Sequence, residues 1–285
     1  MKQPPLSILT TCFNRVEFVA DAIESILSQN FGDFEYIIVD DCSSDGSYEI
    51  ILEYAKQDSR IHPFRNERNL GDYPNRNKAA SYAAGKYIKY VDSDDVIFPY
   101  TLDILTHFVE RYPHAALLLA AAPPDRIPPF ELSPRESLIT HFTSYGLLSR
   151  APGSALISKQ AFDDVGGFPN VRHFGDSGLW LKLAAKYRIV AVPPGWNWDR
   201  TLQDSEKIRR RTTIKPIKEQ LESELEFLSC ESLPLSFEER KQFGKRLLAQ
   251  ARWAAIKRFI RTRHLNEIST LAYLFHPRVL RKFCH

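Results

Sequence analysis

The sequence predicts an α/β protein with a mainly parallel central sheet flanked by helices, followed by a helical C-terminal extension. Three observations lead there. Short apolar runs alternate with helical patterns through the first two hundred residues, polar clusters close several of those runs, and no strand pattern remains beyond about residue 200. At 285 residues, 44% hydrophobic and 26% charged, the chain has ordinary globular composition and enough length for a sizeable core.

Leu6 to Cys12 (LSILTTC) is a short apolar run without helical spacing and reads as the first strand. Val16, Val19, Ile23, Ile26 and Leu27 then recur at helical intervals. Phe34 to Asp40 (FEYIIVD) reads as a second strand, buried on both faces because its apolar residues are consecutive. Asp45-Gly-Ser starts a helix that buries Ile50, Ile51 and Tyr54. Arg60 to Phe64 is a weak third strand, and Pro74 to Ala84 is helical, with Pro74 suited to the first turn. GKYIKYVD makes a fourth strand.

Beyond residue 112 the pattern loosens. Ala115 to Ala122 (AALLLAAA), closed by Pro123-Pro124, suits a buried strand, and residues 123–135, with five prolines, read as a loop. SRAPGSALIS gives another strand, KQAFDDVGGF a short helix ending at Gly166-Gly167, GDSGLWLKLAAKY a helix and RIVAVPP a late strand. There is no internal repeat and no low-complexity tract.

Composition excludes several classes. No stretch approaches the ~20 apolar residues of a membrane span. The start, MKQPPLSILTTCFN, has prolines where a signal peptide needs an uninterrupted apolar helix, so a cytoplasmic location is expected. Cys12, Cys42, Cys230 and Cys284 form no CxxC pair, which argues against a zinc site or a disulfide framework. The net charge of +3 is uneven: residues 240–285 carry 12 Lys and Arg against Glu267 alone, leaving −8 on the remainder.

Ligands of parallel α/β sheets bind at the carboxyl ends of the strands. Three polar clusters fall there: Thr10 through Arg15, Asp40-Asp41, and Asp92-Ser93-Asp94-Asp95. Clustered carboxylates repel one another unless a cation compensates. Oxygen ligands favour Mg²⁺ or Mn²⁺, and such ions keep positions open for a substrate's phosphates. The expectation is a divalent cation gripping a diphosphate. The alternative for Asp94 or Asp95 is a cap on the helix over Thr101–Tyr112.

LSILTTCFNR, VDDCSSDGS, NLGDYPNRNKAASYAAGKYIKYVDSDD, VGGF and GDSGLWLKLA occur in this order. Over roughly residues 5–205 the ordered set resembles glycosyltransferase family 2, inverting nucleotide-sugar enzymes of the GT-A fold. The resemblance implies that Thr10, Thr11, Asn14 and Arg15 line the base and ribose of a nucleoside-diphosphate sugar, most often a UDP-sugar. It implies that Asp40 and Asp41 bond the base and that Arg76 lies near it. Asp92 and Asp94 match the DxD motif, with Asp94 as metal ligand, Asp92 for ribose or metal, and Asp95 in a supporting or capping place. Asp176 matches the residue that takes the acceptor hydroxyl's proton, although Gly175 stands where a glutamate is usual. An N-cap is the alternative for Asp176. Arg200 in WNWDRTLQDS fits a lid over the diphosphate, with Gln203 where a histidine is expected, and a rim salt bridge is its alternative. Trp196 and Trp198 are candidates for stacking on sugar or for packing. Gly153 and Ser154 fall near the donor sugar without an assigned chemistry.

These implications describe a metal-dependent inverting transferase acting on a carbohydrate or lipid-linked acceptor in polysaccharide or glycoconjugate synthesis. The domain expectation is a transferase domain over 1–205 and a basic helical extension over 206–285. That extension, from 240 to 285, offers Trp253, Ile256, Phe259 and Ile260 to an anionic membrane on the cytoplasmic side. Its alternative is a solvated helical cap, since the cations fall around most of the helix. No motif for nucleic acid accompanies the charge. Two rival readings remain: a nucleotide-sugar-binding protein without catalysis, supported by Gly175, and a nucleotidyltransferase. The second lacks its glycine-rich phosphate loop in TTCFNR. GxGxxG is likewise absent after the first strand, which argues against a dinucleotide-dependent dehydrogenase.

Overall fold

Two runs of consecutive apolar residues form the middle of the sheet. Leu6–Cys12 (β1) and Phe34–Asp40 (β2) pair in parallel, from Leu6 opposite Phe34 to Cys12 opposite Asp40. Helices cover both faces of such strands, and the runs therefore lack polar alternation. Ile61–Arg65 (β3) flanks β2, and Tyr87–Tyr90 (β4) flanks β1 with Leu6 opposite Tyr87. The computed structural model describes residues 5–123, 126–200, 213–262 and 267–276, apart from the side chains of Ser144 and Tyr145.

The eight strands run in the order β3-β2-β1-β4-β8-β6-β9-β7, where Leu117–Ala120 is β6, Phe130–Leu132 β7, Ala155–Ser158 β8 and Ile189–Val192 β9. Four pairings are parallel; β8 runs antiparallel to β4 and β6, and β7 to β9. A separate two-stranded ribbon pairs Val96–Ile97 (β5) with Asn197–Trp198 (β10). The proline-rich stretch 123–135, expected to be a loop, therefore contains an edge strand, β7. Edge positions tolerate the prolines around it.

The helical periodicities hold. Val19–Leu27 (α1) buries Val19, Ala22, Ile23 and Ile26, a single stripe facing the sheet. Ser47–Gln57 (α2), Asp72–Tyr82 (α3) and Thr101–Arg111 (α4) follow. Helix α3 begins two residues before Pro74, which lies in its first turn as anticipated. Pro134–Thr140 (α5), Lys159–Asp164 (α6) and Gly175–Lys186 (α7) come next in the chain. Gly85, at the entry to β4, is a place where only glycine fits. A Cβ there would lie 2.6 Å from the Ser7 nitrogen and 2.7 Å from the Leu6 carbonyl carbon, so any larger residue would hold β4 off β1.

The chain divides into two compact units, Met1–Ser137 with Leu147–Arg200, and Leu138–Gly146 with Thr201–His285. In its described residues the second unit is helical: a π turn at His141–Tyr145, then Lys215–Leu228 (α8), Phe237–Thr262 (α9) and Ile268–Phe275 (α10). Ile214, Leu221, Leu225, Leu248, Ala251, Ala255 and Leu274 form its core, with Leu247 and Phe259 packed against it. Trp253 and Ile260 stay exposed on α9. Glu224 is buried in this unit beside Gln220, and burial pushes its carboxyl up to about 7. The part of the expected basic extension beyond residue 276 lies outside the described residues, as does the segment 201–212 containing the expected boundary.

Candidate functional site

Strands β1, β2 and β4 finish side by side. The Asp41 N–H donates to the Cys12 carbonyl at 2.7 Å and the Val91 N–H to the Leu9 carbonyl at 3.0 Å. The three polar clusters thus leave one edge of the sheet, as the sequence predicts for a ligand edge.

The loop after β1 is laced to the loop after β2. Asn14 adopts left-handed backbone (φ 52°), its N–H donates to Ser43 Oγ at 2.9 Å, and its Oδ1 accepts from Ser44 N–H at 3.0 Å. The Arg15 N–H donates to Ser47 Oγ at 2.8 Å, while its guanidinium reaches Asp94 Oδ2 at 3.3 Å. Thr10 is fully buried; its hydroxyl donates to the Val91 carbonyl at 2.8 Å and lies 3.0 Å from Tyr36 Oη. It braces β1 against both neighbours. Thr11, next along the strand, is half-buried and faces the other way.

The two acids after β2 have different surroundings. Asp40 is fully buried: Oδ2 accepts from Ser43 N–H at 2.9 Å and lies 3.3 Å from Arg65 Nε, whereas Oδ1 has no hydrogen-bond partner. Asp41 accepts from Asn66 Nδ2 and the Leu70 N–H, both at 2.8 Å, and from the Gly71 N–H at 2.9 Å. Its carboxylate therefore fixes the loop that opens α3.

Helix α3 carries Arg76, buried between Asp72 Oδ1 at 2.7 Å and Asp92 Oδ1 at 2.8 Å. Burial opposes its charge, but Asp92 and Asp72 outweigh burial and hold the guanidinium above its ordinary pKa. Tyr90 supports it from below, with its ring 5.5 Å from the guanidinium and its hydroxyl donating to the Arg76 carbonyl at 2.9 Å. Next to Tyr90, the buried Lys89 donates to the Tyr90 carbonyl at 3.0 Å and to the Gly153 carbonyl, tying β4 to the turn Pro152–Ser154. Burial pushes its amine down to about 8.

Asp92, Asp94 and Asp95 are half-buried. Burial, and then the charge of Asp92, raise the Asp94 carboxyl and push that of Asp95 up to about 7. Arg200 closes this corner: its N–H donates to Asp95 Oδ1 at 2.8 Å, Nε to the Asp94 carbonyl at 3.1 Å and Nη2 to Asp21 Oδ2 at 2.8 Å. The ribbon of β10 on β5 brings it there. Trp196 is buried, and Trp198 remains half exposed with its ring 5.2 Å from Arg200. Gln203 lies outside the described residues.

Asp176 sits in the first turn of α7, where Phe174 adopts left-handed backbone (φ 60°). Its Oδ1 accepts from the Ser177 N–H at 2.8 Å and faces the Tyr73 hydroxyl at 3.3 Å. Tyr73 also explains the departure at Gly175. A Cβ on residue 175 would come within 2.7 Å of the Tyr73 ring, so the tyrosine occupies the room a side chain would need.

One network therefore joins Arg15, Arg76, Asp92, Asp94 and Arg200, with Asp40 and Asp41 on the neighbouring strand end and Asp176 reached through α3. Thr10 stands apart, committed to the core. Sequence reading missed Tyr73, Asp72, Asp21, Arg65 and Asn66. Only Tyr73 and Asp72 left a trace, spaced three and four residues before Arg76 on one helix face.

The donor set suits a hard cation. It is made of oxygens, and burial together with the charge of Asp92 raises the carboxyls of Asp94 and Asp95. Among the described residues no group of three or more acidic, histidine or cysteine side chains is arranged to hold a metal ion.

A family model described as Glycosyl transferase family 2 matches residues 7–166. A protein of Bacillus subtilis (strain 168) named as the teichuronic acid biosynthesis glycosyltransferase TuaG is 42% identical over 93 residues, 33% of this chain and 37% of its own length. The chain thus spans well under half of that relative. The glycosyltransferase EpsE of the same organism is 26% identical over 279 residues, 93% of this chain and 96% of its own. Among solved structures, S. aureus TarS 1-349 in complex with UDP-GlcNAc matches with a TM-score of 0.74 at 19% identity, covering 98% of this chain and 81% of that one. The mannosyltransferase PcManGT from Pyrobaculum calidifontis, in complex with GDP-Man and Mn2+, matches with a TM-score of 0.68 at 15% identity over 99% and 86%. The expected GT-A α/β fold, with helices at the C-terminal end, is the fold these structures share with the chain.

Proposed function

The chain belongs to glycosyl transferase family 2, and from that premise we propose that it moves a sugar from a nucleoside-diphosphate sugar to a hydroxyl acceptor in polysaccharide or glycoconjugate synthesis. The observation that carries the proposal is the strand-end network. Acids and guanidinium groups from three adjacent strand ends and from the β10 ribbon meet at one edge, and α3 links that edge to Asp176.

Asp40, whose buried Oδ1 lacks a partner, is the acceptor for a base N–H, with Asp41 holding the loop beside it. Thr11, Asn14 and Arg15 form the wall of the nucleotide site, and Thr10 supports them from the core. Arg76 orients Asp92 towards the ribose. Asp94 with Asp92 would hold Mn²⁺ or Mg²⁺, which would supply positive charge to the departing diphosphate. Arg15 and Arg200 add guanidinium groups that pair well with phosphate oxygens.

The transfer is a single in-line displacement. The acceptor oxygen forms a bond to the anomeric carbon as the bond to the diphosphate oxygen breaks. Asp176 takes the acceptor's proton, and the electron pair leaves with the nucleoside diphosphate. One displacement inverts the anomeric carbon, so an α-linked donor gives a β-linked product. UDP-sugars are the first donors to consider, since TarS was solved with UDP-GlcNAc; the GDP-Man of PcManGT makes GDP the necessary comparison.

The acceptor is a carbohydrate or a lipid-linked saccharide. For the second case, the outer face of α9 offers Trp253 and Ile260 among Lys245, Arg246, Lys257 and Arg261, a pattern suited to anionic headgroups. No described helix is long and apolar enough to cross a membrane.

The test is calorimetric titration with UDP and with GDP, with and without Mn²⁺, on the protein and on Asp94→Asn. UDP binding that requires both Mn²⁺ and Asp94 supports the whole reading. Metal-independent binding would remove the role of Asp94 and spare the nucleotide site; binding of neither nucleotide would overturn the reading.

A further inference from the structure

Resting on the reading of Asp176 as the proton acceptor, we propose that Tyr73 is its positioning residue: a phenol on α3 that orients the Asp176 carboxylate and favours its charged form. Three observations converge on it. The ring of Tyr73 is buried (3% exposed) and stacked on Phe168 with centroids 5.5 Å apart, so its place is fixed. Its hydroxyl lies 3.3 Å from Asp176 Oδ1, while the Ser177 N–H holds the same oxygen at 2.8 Å. Residue 175 is glycine, and a Cβ there would meet three carbons of the Tyr73 ring at 2.7–2.8 Å.

The same helix refers Asp176 to the opposite side of the site. Tyr73 stands three residues before Arg76, so the two share a face of α3. Arg76 holds Asp92 at 2.8 Å, and Asp41 anchors the start of the helix through Leu70 and Gly71. Helix α3 is thus a spacer: one turn sets the carboxylate at the end of β4 and the preceding turn sets the carboxylate at the start of α7. Any shift of α3 moves both together, which keeps the donor's diphosphate and the proton acceptor in fixed register.

The chemistry follows from the donor. A phenol O–H bonded to a carboxylate stabilises its ionised form and restricts rotation of its plane. At 3.3 Å the bond is long for O–H···O, as catalytic hydrogen bonds commonly are before substrate arrives.

Tyr73→Phe tests this with the ring packing kept. The titration of the Asp176 carboxyl, followed by ¹³C NMR and assigned through Asp176→Asn, is expected to move to higher pH by about half a unit or more in Tyr73→Phe. An unchanged midpoint overturns the proposal and needs no substrate to do so. Glycosyl transfer from a panel of UDP- and GDP-sugars then separates the two readings. Loss of transfer in Asp176→Asn, with about a tenfold drop in kcat and an unchanged donor KM in Tyr73→Phe, supports both. Loss in Asp176→Asn with native kcat and pH profile in Tyr73→Phe sinks only the positioning role, and full transfer by Asp176→Asn sinks the base and Tyr73 together. Gly175→Ala supplies a control independent of the hydroxyl. It is expected to lower the urea midpoint of the protein clearly but to have little effect in a Tyr73→Ala background, where the ring is gone; equal effects in both would show that the ring is not what glycine accommodates.

Discussion

The backbone N–H of Arg200 donates to Asp95 Oδ1 across 2.8 Å, joining positions 105 residues apart. The contact ties β10 to the turn that follows β4, and it makes Asp95 an acceptor for backbone as well as a member of the acidic cluster.

Asp95→Asn keeps an acceptor oxygen and is expected to hold UDP with nearly native affinity. Asp95→Ala leaves the Arg200 N–H without that partner and is expected to lose about 1–3 kcal/mol of stability, together with weaker nucleotide binding. Urea unfolding and calorimetry on the pair check this; equal behaviour of the two variants would refute the role of Asp95 as acceptor for the Arg200 N–H.

Gly85→Ala is expected to be among the most damaging single methyl additions in the sheet. The new Cβ would meet Ser7 nitrogen at 2.6 Å and Leu6 carbonyl carbon at 2.7 Å, and backbone atoms cannot swing aside. A cost of about 3 kcal/mol, at the upper end for overpacking, is expected in chemical denaturation.

Glu224 links stability to pH. Burial raises its carboxyl from 4.5 to about 7. The folded state therefore binds the proton more tightly than the unfolded chain, so the contribution is complete below about pH 4.5 and is lost as pH rises through 7. Glu224→Gln, which keeps the shape without the charge, is expected to be more stable than the native protein at pH 8 by on the order of 1–3 kcal/mol and about equal at pH 4. A constant difference across that range would contradict the burial of this carboxyl.

Vesicle co-sedimentation tests the face of α9. Vesicles of phosphatidylglycerol are expected to retain the protein and those of phosphatidylcholine to release it, with Trp253→Ser and Lys257→Glu each weakening retention several-fold. Retention that ignores anionic lipid would remove the membrane contact from the proposal.

Much of the fold was legible because burial on two faces leaves a plain mark. Ile37, Ile38 and Val39 in one run, or Leu117 to Leu119 in another, suit only an interior strand, and the acids that close β2 and β4 stand out against them. The short strands β5, β7 and β10, two or three residues each, carry no readable period, and β8 gives no sign of its direction because pairing sense is set by neighbours. Within the site, residue types were visible and partners were not. Nothing near Asp41 in sequence tells that its carboxylate is engaged by Asn66, Leu70 and Gly71, or that Thr10 turns into the core. The glycine at 175 reads as a departure until the ring of Tyr73, a hundred residues earlier, is seen against it.

The strand order also dictates a history for each new chain. β1 finds β2 soon after it is made, but its other neighbour, β4, begins about 80 residues later, which at ribosomal rates of roughly 5–20 residues per second leaves one edge of β1 unpaired for about 4–16 s. β4 waits in its turn, since its outer partner is β8, through Tyr87 opposite Ser158 and Ile88 opposite Ile157. The first four strands can close as a half-sheet before the remainder exists, with β4 as an unpaired border on which Lys89 is the one charged side chain. Chains cut short before Ala155 keep the β4 border unpaired, because the strand that covers it, Ala155–Ser158, is never made.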